Sequence, residues 1–123
     1  MSQVLLYVAA CLTGLWGVSH LFATRGVVAG FGDISTDNRR VITMEWIVEG
    51  VALISVSAFV AVAAAIEPHT RLSSAVFAVA IATLVTLAAV SVFTGFRIAF
   101  LPYRLCPFIF SLSAVLIAVG AWA

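Results

Sequence analysis

Glu45 and Glu49 stand four residues apart inside a stretch, Val41 to Ile66, that otherwise has the composition of a membrane-spanning helix. A carboxylate facing hydrocarbon is costly, so ionisable residues at that depth face a bundle interior or a water-filled cavity and mark a site. The i,i+4 spacing sets both on one helix face, continuous with Ala52, Leu53 and Val56. Two like charges that close do not both ionise without a cation nearby. Either one carboxyl keeps its proton, or His20, Arg97 or Arg104 pairs with them. General acid-base chemistry needs a group that holds and releases a proton near neutral pH, and a sheltered carboxylate provides one. The candidate catalytic residues are therefore Glu49 as base or acid, Glu45 as its partner and His20 as a relay.

The elements that position these residues follow from composition. Of the 123 residues 64% are apolar and 9% charged, and the mean hydropathy is +1.24, outside the range of soluble domains. The chain reads as one all-α domain, 1–123, an integral membrane four-transmembrane-helix bundle. Its apolar runs are Val4 to Phe22, Val41 to Ile66, Leu72 to about Phe96, and Pro107 to Trp122, to be compared with the ~20 helical residues that cross a bilayer core. The last run is short and is expected to borrow Leu101 to Cys106, or to tilt little and anchor Trp122 in the interface. Helices are expected over about 4–24, 37–66, 71–100 and 103–123. The first run lacks a positive n-region and exceeds a signal core, so a retained helix is expected.

With alternating helix direction, His20, Glu45, Glu49, Arg97, Tyr103 and Arg104 fall at one end of the bundle. The other end offers only Glu67, His69 and Arg71 around Pro68. Arg97, Arg104 and Arg40 are candidates to hold a polar or anionic oxygen of a substrate; the plainer reading is that they snorkel to lipid headgroups. Trp46 and Tyr103 suit an interfacial aromatic belt and are also candidate walls of a pocket. The connection Thr24 to Arg40 is long for a bundle, and a segment of that length above the polar end reads as a lid, a headgroup pocket or an interfacial stretch. Ser35 to Asn38 supplies N-cap candidates for the second helix.

All six basic residues are arginine and the net charge is +1, so no basic stripe exists to track nucleic acid. Arg25, Arg39 and Arg40 in the first connection and Arg97 and Arg104 in the third outnumber Arg71 in the second. By the positive-inside rule both termini are expected outside, in a bacterial inner membrane. Cys11 and Cys106 lie toward opposite ends of the bundle and no disulfide is expected. A carboxylate-bridged di-metal centre recruits more Glu and His than His20, Glu45 and Glu49 provide; no metal and no cofactor are expected. Small residues at helical spacing, among them Ala10 with Gly14, Ser57 with Ala61 and Ala65, and Ala78 with Ala82, suit close packing in lipid, within the chain or in a homodimer.

The segment Gly17-Val18-Ser19-His20, followed by Asp37-Asn38-Arg39-Arg40 and Met44-Glu45-Trp46-Ile47-Val48-Glu49-Gly50, resembles small bacterial four-helix membrane proteins of the DoxX-like type. The likeness covers length, helix count and the first half of the chain. It implies a fold and a site location and, for some members of that group, quinone-associated redox chemistry; cysteines placed for redox work are absent here. Three functional readings follow. In the first, a membrane-embedded pocket acts on a lipophilic small molecule by general acid-base chemistry, as an isomerase, cyclase or epoxide-opening enzyme. In the second, a small proton-coupled transporter works as a dimer. In the third, the chain is a structural or assembly subunit.

Overall fold

The computed structural model describes all 123 residues as four helices, α1 (Gln3–Ala29), α2 (Thr36–Ile66), α3 (Arg71–Thr94) and α4 (Leu101–Trp122). Each is long and apolar enough to cross a membrane, and the fold is the all-α membrane bundle the composition demands. Turn chemistry sets two of the starts. The Ser35 hydroxyl accepts from the Asn38 N–H at 3.2 Å, with Asp37 in the first turn of α2; Thr70 accepts from the Ser73 N–H at 3.1 Å to open α3. Such caps satisfy backbone donors that no helical carbonyl reaches.

The helices pack in ring order. The α1–α2 and α3–α4 hairpins are the closest pairs, α1 closes against α4, and α2 meets α3 least; the diagonal pairs have no close backbone approach. Leu6, Leu53, Val60, Phe77, Leu84, Phe110 and Ile117 fill the centre, all essentially inaccessible. Ala78, Ala82 and Ala65, expected among the packing faces, point outward.

The α1–α2 hairpin is held by glycine contacts and by hydrogen bonds at three depths. Gln3 donates to the Ala64 carbonyl at 3.2 Å, Ser57 to the Ala10 carbonyl at 2.6 Å, and the Trp46 indole to the His20 carbonyl at 2.6 Å. Interhelical hydrogen bonds in membranes contribute on average ~0.6 kcal/mol. Ser57→Ala is therefore expected to cost about that much, seen as a small fall in the detergent-solubilised melting midpoint, with no change in the bundle.

Two boundaries differ from the sequence expectation. First, α1 continues to Ala29, so the first connection is only Gly30 to Ser35 and no long lid exists. The extension is stable because the Thr24 hydroxyl returns to the His20 carbonyl at 2.9 Å and Val27 and Val28 are buried. Gly32, at φ +69°, supplies the left-handed turn that only glycine adopts freely. Second, α3 stops at Thr94, where Gly95 caps it onto the Ser91 carbonyl. As expected, α4 takes in Leu101 to Cys106; it carries Pro107 inside it. Proline has no N–H, so the Tyr103 carbonyl loses its helical partner.

Candidate functional site

His20 is the centre of the polar end. It lies on α1 facing α2, only 5% exposed, and its position is set by a backbone crossing one turn away. A Cβ added to Gly17 would stand 2.7 Å from the Gly50 carbonyl oxygen and 3.0 Å from the Ile54 backbone nitrogen; one added to Gly50 would stand 2.9 Å from the Gly17 carbonyl oxygen. Two glycines thus let α1 and α2 touch backbone to backbone immediately beside His20 and Glu49. The result is an approach of His20 Nε2 to Glu49 Oε1 of 3.5 Å.

The imidazole is fixed on its other side. Its Nδ1 lies 2.9 Å from the Trp16 carbonyl oxygen. A carbonyl only accepts, so Nδ1 carries a hydrogen and the neutral ring presents a bare Nε2 to Glu49. A hydrogen bond between the two needs one shared proton, on the carboxyl or on the imidazole, and the two arrangements differ by one short transfer. The spacing exceeds that of a formed hydrogen bond, as is common in sites that tighten when occupied.

Aromatic rings clamp this couple. The Trp46 ring stacks on His20 with centroids 4.7 Å apart, the Trp16 ring meets it edge-on at 6.1 Å, and Tyr103 packs edge-on against Trp46 at 5.5 Å. Trp46 is thereby a holder of His20 by stacking and by its indole hydrogen bond, a role its place in an interfacial belt did not suggest. Toward α4, His20 borders a small cavity of about 120 Å³ with Trp16, Tyr103 and Cys106.

On the outer side lies a cleft of about 440 Å³ at the loose α2–α3 seam, lined by Glu45, Glu49, Ala52, Leu53, Val56 and Tyr103 among others. The face expected from the carboxylate spacing is the face that lines it. Val56 and Thr83 continue the cleft into a second groove of about 320 Å³ that Phe59, Val76 and Val79 make almost wholly apolar. From Glu49 to Phe59 is ten residues, ~15 Å along the helix. A polar mouth thus leads to a long hydrocarbon-facing channel.

The arginines stand apart from the carboxylates. Arg97 is exposed on the third connection and forms no ion pair. Arg104 donates to the Phe96 carbonyl at 3.4 Å and lies 5.9 Å from the centre of that ring. Arg40 sits 3.7 Å from Asp37, both largely exposed. The basic group facing Glu49 is therefore His20, and Glu45, exposed at the cleft mouth, has no ion-pair partner. No group of three or more His, Cys, Asp or Glu side chains converges as a metal site would require.

Sequence reasoning brought together His20, Glu49, Trp46 and Tyr103, and missed Trp16, Gly17 and Gly50. A signal for the glycines was present: Gly17 precedes His20 by three residues and Gly50 follows Glu49 directly. No protein family, no curated protein and no solved structure matches this chain.

Proposed function

We propose that the chain is a membrane-embedded acid-base site for a lipophilic small molecule, which enters from the bilayer through the α2–α3 seam. The observation that carries this reading is the His20–Glu49 couple, fixed from behind by the Trp16 carbonyl and open in front to an amphipathic cleft. In it, Glu49 takes a proton from the substrate or gives one to it, and His20 holds the proton in the other half of the cycle. Tyr103 and Trp46 wall the reacting end, and the apolar groove takes the remainder of the molecule. Proton movement of this kind suits isomerisation, cyclisation or epoxide opening. Glu45, at the mouth, interacts with polar groups of the ligand or with water. We infer, as part of the same proposal, kinship with DoxX-like proteins through the Gly17–His20 and Glu45–Gly50 segments, a bacterial inner membrane and termini on its outer side.

A second reading draws on the same couple. A one-proton pair at an open seam also suits a proton-coupled transporter, with a second copy closing the α2–α3 face. Native mass spectrometry of gently solubilised wild type beside Glu49→Gln separates the two. The expected result is a wild-type monomer or loose oligomer that carries a lipophilic small molecule, and a variant that has lost it. An empty, tight dimer in both samples would reject the enzyme reading and leave the transporter, whose proton-driven flux in vesicles is then the measurement.

A further inference from the structure

The ends of α1 and α2 near the first connection project beyond the bilayer core. A span of ~30 Å takes ~20 helical residues, and α1 has 27 and α2 has 31. Counted from Val4, the hydrocarbon ends near Ala23; counted back from Ile66, it ends near Ile47. The last turn or two of α1 and the first three turns of α2 therefore stand side by side at headgroup depth. Between them, on the outer face of the hairpin, is a groove of about 590 Å³ lined by Arg25 and Arg39 above and by Leu21, Phe22 and Val28 on its apolar side.

Its lining carries two guanidinium groups. No carboxylate lines the groove. Arg25 has neither a hydrogen bond nor an ion pair within the chain. Arg39 donates from Nη2 to the Gly32 carbonyl at 3.2 Å, which fixes the side chain and leaves further N–H donors on its guanidinium free. The nearby acid on α2, Asp37, is engaged with Arg40 at 3.7 Å. Phe22, 86% exposed, lies at the depth where an acyl chain begins.

We propose that this groove binds one anionic glycerophospholipid, its phosphate held between the guanidinium groups of Arg25 and Arg39 and its acyl chains descending over Leu21 and Phe22. The planar fork of a guanidinium matches the oxygens of a phosphate, the groove carries two of them, and the apolar side chains of Leu21 and Phe22 favour a lipid over a free ion. The groove shares no lining residue with the Glu49 cleft and does not depend on what that cleft binds.

The test is native mass spectrometry of protein released from nanodiscs of equal phosphatidylglycerol and phosphatidylcholine with identical chains. Wild type is expected to retain one phosphatidylglycerol per chain in preference to phosphatidylcholine. Arg25→Gln/Arg39→Gln is expected to reduce that preference roughly tenfold, in line with the attraction of interfacial basic side chains for anionic lipid. Arg25→Lys/Arg39→Lys keeps the charge without the bidentate geometry and is expected to fall between the two, which also covers the case of a poorly folded glutamine variant. Arg40→Gln removes one neighbouring charge outside the groove and is expected to retain the lipid. Equal retention of both lipids by wild type, or the same loss in Arg40→Gln as in the groove variants, would overturn the proposal in favour of a diffuse surface field. Displacement of the lipid by millimolar inorganic phosphate would overturn it in favour of a free-anion site.

Discussion

Gly17→Val is expected to pull α1 and α2 apart and to destabilise the first hairpin. The added branch has nowhere to go: its first carbon alone would lie 2.7 Å from the Gly50 carbonyl oxygen and 3.0 Å from both the backbone nitrogen and the Cγ1 of Ile54. Two of these three neighbours are backbone, so no rotamer change relieves them and the helix axes must separate. Overpacking of a well-fitted contact costs about 1–3 kcal/mol; a helix-to-helix backbone contact belongs at the upper end of that range. The separation also acts on the site, because His20 is one turn from Gly17 and already 3.5 Å from Glu49. The expected result is a melting midpoint lowered by several degrees and loss of the Trp46 to His20 hydrogen bond, read from the indole N–H signal of Trp46 in a labelled sample. Gly26→Ala is the contrast. Gly26 is helical with no atom within 4 Å of an added Cβ, so alanine is expected to stabilise by about 0.5–1 kcal/mol through helix propensity. If both substitutions gave the same small effect, the Gly17–Gly50 contact would not be what sets the hairpin.

These two glycines also show where sequence reading stops. The four spans were legible because transfer of apolar side chains out of water dominates everything else in a chain this hydrophobic, and the polar end was legible because helix direction alternates. What a residue touches was not, since it depends on rotation of each helix about its axis. Arg97 and His20 were equally placed by topology as partners for Glu49. The structure distinguishes them, through Gly17 and Gly50, which turn the His20 face of α1 onto α2 and leave Arg97 on an exposed connection. Rotation also decides between the two readings open for Trp46, a headgroup-facing belt residue or a pocket wall: its ring stacks on His20. The first connection was overestimated because Gly26 and the charged residues around it read as loop, whereas burial of Val27 and Val28 outweighs the propensity cost of one glycine.

Glu49→Gln is expected to leave the fold intact and to abolish chemistry at the cleft. The amide has the shape of the carboxyl, and its NH2 can donate to the bare Nε2 of His20, so the two side chains keep a compatible approach. What is lost is the site for the shared proton, because an amide neither takes a proton from a substrate nor returns one at neutral pH. Positioned proton transfer contributes about 10²–10⁴ in rate, and turnover of whatever lipophile wild type retains should fall by that factor with the melting midpoint unchanged. His20→Asn separates the two halves of the couple. Asparagine still offers a polar group near Glu49 but cannot store the proton between steps, so the first transfer is expected to proceed and recycling to fail, giving a single turnover where wild type gives many. Infrared difference spectra provide a readout independent of substrate: the carboxyl band that belongs to Glu49 should disappear in Glu49→Gln and should move in His20→Asn, since its partner has changed. A Glu49→Gln protein that turns over at the wild-type rate would remove the acid-base reading altogether. A His20→Asn protein whose Glu49 band stays in place would show instead that the carboxyl acts alone and that the imidazole merely fills the space behind it.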